Sequence, residues 1–145
     1  MKYCKFLIIN FLIIFAFHNN LEAKLQNKIL LKVNDEIITS KDLELEIRLI
    51  NYLNKGSLKE KDINSLQNIG IQSLIKRTIK EEEIKRYAFN KFSEKDLELK
   101  LESIQKSLAL SNRDLKISLK KIGISYEHLK KKIILELKWN GLIVD

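Results

Sequence analysis

A chain of 145 residues with no proline and only four glycines has few ways to turn sharply. Those two residues punctuate loops, so their scarcity excludes a glycine-rich phosphate loop, a polyproline ligand, a collagen repeat and a turn-rich β-sandwich. Helices joined by short polar turns remain. Hydrophobic residues are 45% of the chain and charged ones 32%, a balance that supports a packed core and argues against disorder. The length allows one domain and leaves no room for a separate catalytic one.

The N-terminus reads as an export signal. Lys2 and Lys5 precede the apolar run Phe6 to Phe17, broken only by Asn10. That run is well short of the roughly 20 residues of a membrane anchor and has the size of a signal-peptide core. His18-Asn19-Asn20 follows, and Leu21-Glu22-Ala23 places a small residue for cleavage before Lys24. Residues 1–23 are therefore expected to be removed, leaving 24–145 as a periplasmic domain with no stable membrane span. The only cysteine, Cys4, lies ahead of the apolar core, so the mature chain relies on packing and has no disulfide. The formal charge of +8 raises nucleic acid as a partner. Export argues against it, and the abundance of Lys, Ile and Asn points to an AT-rich genome as part of the cause.

The mature part reads as mainly α, a short β-hairpin followed by about five helices. Ile29 to Val33 and Glu36 to Thr39 form strands around an Asn34-Asp35 turn. Thr39 with Asp42 starts a helix to about Asn54, ended by Gly56-Ser57. Its residues Leu43, Ile47 and Ile50 share one face, and Leu45, Leu49 and Tyr52 a second, nearly opposite one. A second helical stretch runs from Lys59 to about Phe89, interrupted at Gly70, with Ile71, Leu74, Ile75 and Ile79 as its apolar side. Ser93 with Asp96 opens a helix carrying Leu97, Leu101, Ile104 and Leu108. Ser111 with Asp114 opens a shorter one carrying Leu115, Leu119 and Ile122, stopped at Gly123. Ser125 caps the last, Tyr126 to about Ile143. There Tyr126, Leu129, Ile133 and Leu137 form the core stripe, while Leu135, Trp139 and Leu142 stand opposite as an uncovered face for a client segment, a second copy of the chain or a partner subunit.

Groups for catalysis are sparse. Glu81-Glu82-Glu83 point in three directions around a helix and read as a solvated, lysine-paired face and not as a metal site. His128, the one histidine of the mature chain, reads as an exposed helix residue with no metal-ligand set. Lys130-Lys131-Lys132 read as the solvated border of an apolar stripe. No strand-to-helix nucleophile elbow is present. Neither an enzyme nor a cofactor is expected.

Three stretches together resemble the N-terminal helical domain of the SurA family of periplasmic chaperones. They are Val33-Asn34-Asp35-Glu36-Ile37-Ile38-Thr39 with Asp42-Leu43; Leu74-Ile75, Ile79 and Glu83 with Lys85-Arg86; and Gly123-Ile124-Ser125-Tyr126 with Leu129-Lys130, Ile133 and Glu136-Leu137. The resemblance spans about Ile29 to Trp139. It implies a nucleotide-independent holdase for unfolded outer-membrane proteins or other apolar segments. The family joins this domain to parvulin prolyl-isomerase domains; few residues follow Trp139, so isomerase activity is not expected. A structural subunit completed by a partner, or a non-enzymatic remnant of a SurA-type isomerase, is the alternative.

Overall fold

A computed structural model describes residues 27–57 and 63–144; the expected export signal, its expected Ala23-Lys24 cleavage point, Cys4 and the expected start of the second helix at Lys59 lie outside the described residues. Strands β1 (Ile29–Val33) and β2 (Glu36–Thr39) pair antiparallel, Lys32 opposite Ile37 and Val33 opposite Glu36. Asn34 opens the turn at φ 50°, a left-handed conformation that asparagine tolerates. A two-stranded ribbon alone is marginal in water, and here it is held at both ends. At its base the Ser40 N–H donates to Lys28 O (2.8 Å); at its tip Asn34 donates to Glu82, and Lys85 lies 3.5 Å from Glu36.

Five helices follow among the described residues: α1 (Ser40–Leu53), α2 (Ile63–Arg86), α3 (Glu94–Leu108), α4 (Asn112–Lys121) and α5 (Tyr126–Leu142). The starts of α1, α3, α4 and α5 are fixed by side-chain caps at the expected residues. Thr39 Oγ1 accepts from the Asp42 N–H while Asp42 accepts from the Thr39 N–H, closing a capping box. Ser93, Ser111 and Ser125 accept from the N–H groups of Asp96, Asp114 and His128. Each cap satisfies a donor that the helix cannot, and is worth about 1 kcal/mol. Gly123, at φ 76°, ends α4 in the left-handed conformation that glycine adopts without strain.

The core lies where α1, α3, α4 and α5 meet. Leu49, Leu97, Leu101, Leu115, Leu119, Ile124 and Leu129 are buried there, and Ile104, Leu108, Tyr126, Ile133 and Leu137 pack against them. The stripes read from spacing on α3, α4 and α5 are thus the ones that face inward. The second face of α1 also turns inward: Leu49 is fully buried, and Leu45 and Tyr52 are partly buried and pack against the same cluster.

Two expectations for α2 need correction. The helix is not interrupted at Gly70 but runs through it, because Gly70 is where α1 comes closest: a Cβ there would sit 2.7 Å from Leu43 Cδ1 and 2.9 Å from Ile47 Cγ1. Its buried line is Gly70, Leu74 and Thr78, one turn apart, with Ile84 beyond. Ile79 consequently faces solvent, 43% exposed. Small residues let two backbones approach, and the seam follows them rather than the bulkiest side chains.

Candidate functional site

The face expected to be open on α5 is not uncovered. Leu135, Trp139 and Leu142 are half-buried, and over Trp139 the cover comes from α2: Lys80 Nζ stands 5.9 Å from the centre of its ring and 2.5 Å from Glu136 Oε2. A cation over an indole face is attracted by the ring quadrupole and shields it from solvent. Helical spacing identified the second apolar face but could not say which helix lies on it.

An open, largely apolar groove of about 820 Å³ lies between the start of α3 and the end of α5. Phe89, Phe92, Leu99, Leu137 and Val144 line it, together with Lys91, Lys100 and Asp96. Residues 87–93 join α2 to α3, and this connection is shaped by its contacts with α5. Phe89 lies against Gly141, where a Cβ would fall 2.9 Å from its ring, so the absence of a side chain there lets the ring seat on the helix. Lys138 donates to Asn90 Oδ1 (3.3 Å) and stands 5.9 Å from the centre of the Phe92 ring. Leu99 is 52% exposed and Val144 85%, which leaves apolar surface available at the groove. Of these residues only Leu137 belonged to an expected stripe. The signal for the rest was the aromatic spacing Tyr87, Phe89, Phe92 in a connecting segment, followed by Leu99 standing off the stripe of α3.

A second feature missed by the sequence reading is a buried charge. Glu46 of α1 is 1% exposed and joins three helices: it accepts from Ser73 Oγ (2.5 Å) and Arg77 Nη1 (3.3 Å) of α2 and from Lys132 Nζ (2.5 Å) of α5. Burial alone would raise its carboxyl. The hydrogen bonds from Lys132 and Ser73 and the charges of Lys132 and Arg77 outweigh it and hold the group below its ordinary value. The clue was its place between Leu45 and Ile47, on a helix with apolar residues on two faces. Lys132 is correspondingly not a solvated border residue but a partner of that carboxylate.

His128 sits beside this junction and is not an exposed residue. It is half-buried, its Nε2 is buried without a partner among the described residues, and it lines a small cavity of about 190 Å³ with Arg77, Glu81, Lys131 and Lys132. Burial, then the charges of Arg77 and Lys132, push the imidazole below its ordinary value. For both His128 and Glu46 the folded value lies below the unfolded one, so in acid the unfolded chain binds more protons and stability falls with pH. The loss should begin as pH drops below about 6.5, from His128, and deepen below about 4.3, from Glu46. Thermal melts between pH 8 and pH 3 check this, and His128→Gln should remove the earlier phase alone.

The acidic run of α2 is dispersed around the helix. Glu81 lies 4.0 Å from Arg77, Glu82 accepts from Asn34, and Glu83 pairs with Arg86 at 3.0 Å. Among the described residues no group of three or more His, Cys, Asp or Glu side chains is placed to hold a metal, and no helix is long and apolar enough to cross a membrane.

No protein-family model matches the chain, and neither a curated protein nor a solved structure matches it.

Proposed function

We propose that this chain is a holdase: an exported, nucleotide-independent module of SurA type that binds apolar segments of unfolded outer-membrane proteins in the periplasm, without catalysis. The observation that carries this reading is the groove between α3 and α5. It presents two phenylalanines, two leucines and a valine on a scaffold fixed by helix caps, with Lys91, Lys100 and Asp96 among them. An extended segment can place apolar side chains in such a groove, which supplies contact area with little directional demand and suits many sequences. The resemblance of the hairpin, the central helix and the Gly123-Ile124-Ser125-Tyr126 entry into α5 supports the same reading.

Light scattering of a denatured outer-membrane protein diluted into buffer tests it. The chain should suppress aggregation at a few-fold molar excess without nucleotide, and Leu99→Asp should weaken the protection severalfold while leaving the melting temperature nearly unchanged, since Leu99 is half in solvent. A lack of protection at large excess overturns the holdase reading in favour of a subunit completed by a partner. A proline-peptide assay should show no isomerisation above the uncatalysed rate.

A further inference from the structure

The outer surface of α4 differs from that of the other helices in how its charges are arranged. Arg113, Lys116, Lys120 and Lys121 are all exposed, and none of them pairs with an acid among the described residues. Each of the other four helices pairs at least one cation with an acid three or four residues away: Lys41 with Glu44 on α1, Arg86 with Glu83 on α2, Lys106 with Glu102 on α3, and Lys130 with Glu127 on α5. On α4 the one acid is Asp114, which accepts from the Ser111 hydroxyl (2.6 Å) at the helix start. The residues three and four places beyond it, Ile117 and Ser118, carry no charge, so the helix has no internal partner for its cations.

Leu115 and Leu119 are fully buried and set the inward side of α4. Ile117 falls between them in sequence and so on the opposite side of the helix, where it is 45% exposed. Arg113, Lys120 and Lys121 stand at i−4, i+3 and i+4 from it and surround it, and Lys116 continues the row one turn before Lys120. Lys116 Nζ stands 4.8 Å from the centre of the Tyr126 ring, which borders this face. The C-terminus of α4 carries roughly half a negative charge. Its carbonyls are engaged: Leu119 O accepts from the Ile122 and Ile124 N–H groups, and Lys120 O from that of Gly123. Four full cations outweigh that half charge and one capped carboxylate, so the face is positive with an isoleucine at its centre.

We propose that the outer face of α4 docks on the surface of an anionic phospholipid bilayer. Arg113, Lys116, Lys120 and Lys121 would meet the headgroup phosphates, and Ile117 would enter the boundary between headgroups and acyl chains. A bilayer surface uses both properties of the face, because it attracts clustered cations and takes up an apolar side chain among them. A nucleic acid would use the cations and leave Ile117 idle. A second copy of the chain would bring the same charges and be repelled. No residue of α4 lines the groove between α3 and α5, so the two surfaces are separate and the docking does not depend on the holdase reading.

A polarity-sensitive nitrobenzoxadiazole label tests this in the full chain with Cys4→Ser, attached through Ile117→Cys or, as the comparison, through Ile79→Cys on α2, whose exposure of 43% matches the 45% of Ile117. Vesicles of phosphatidylglycerol with phosphatidylethanolamine should raise the emission at position 117 at least twofold and shift it to the blue. Phosphatidylcholine vesicles should not, position 79 should not respond, and about 0.5 M salt should reverse the effect. Lys116→Glu, Lys120→Glu and Lys121→Glu together should raise the lipid concentration needed at least tenfold. The same charge change made elsewhere, at the exposed Lys28, Lys76 and Lys95, should leave it within about twofold. No response at position 117, equal responses at 117 and 79, equal responses to anionic and neutral vesicles, or an equal loss in the two triple variants overturns the proposal. A response to a short DNA duplex with none to vesicles overturns it in favour of nucleic acid. The comparisons of position and of lipid need no charge reversal, so the test stands even if a triple variant does not fold.

Discussion

Replacing Glu46 with Ala should destabilise the domain by about 3 kcal/mol, at the lower end of the range for breaking a buried ion pair. The carboxylate is the only described acid contacting both Arg77 and Lys132 at the junction of α1, α2 and α5. Its removal leaves Lys132 without an acid partner among the described residues, leaves Arg77 only Glu81 at 4.0 Å, and frees the Ser73 hydroxyl as well. The lower end applies because Arg77 and Lys132 keep 22% and 24% of their side-chain surface and can swing partly toward water. For a domain of this size the melting temperature should fall by roughly 10 °C. Glu46→Gln keeps an acceptor for Ser73 and should cost less. Urea unfolding of the three proteins ranks them; equal midpoints for wild type and Glu46→Ala would mean the junction contributes no net stability.

Leu119→Ala should cost about 2–5 kcal/mol, through lost transfer energy and the cavity left behind. Leu119 is fully buried in a cluster with Leu49, Leu97, Leu101, Leu115, Ile124 and Leu129, contributed by α1, α3, α4, α5 and the turn before α5. The site has little room to collapse, because α4 is pinned at one end by its Ser111 cap and at the other by Gly123. A spread of this size approaches the whole stability of a small domain, so the variant is expected to be partly unfolded at 37 °C. The intensity of near-ultraviolet circular dichroism, against temperature, checks it.

Local signals were legible in the sequence because they act over a few residues. The Asn34-Asp35 turn, the caps at Thr39, Ser93, Ser111 and Ser125, and the stop at Gly123 each depend on neighbours within one turn of chain. Stripes on α3, α4 and α5 were legible too, since an apolar line at helical spacing has to be buried somewhere. What spacing could not give was the partner of a second face. Leu49 proved to be core with Leu45 and Tyr52 packed partly buried against it, while Trp139 was half-closed by Lys80, from a helix that pairs with Glu136 across 56 residues of chain. The same limit hid Glu46. A glutamate reads as solvated until a cation from a distant helix is placed beside it, and Lys132 is 86 residues away. The open groove was hidden because its walls come from a connecting segment, the off-stripe Leu99 and the last turn of α5.

If unfolded chains are held in the groove between α3 and α5, site-specific photo-crosslinking should capture them there. A benzophenone side chain placed at Leu99 lies at the groove, whereas one at Ile117 is similarly exposed, 45% against 52%, but on α4 away from it. With a denatured outer-membrane protein as client, irradiation should give a strong covalent product from position 99 and little from position 117. Equal yields at the two positions, or a product from 117 alone, would mean that the groove does not hold the client.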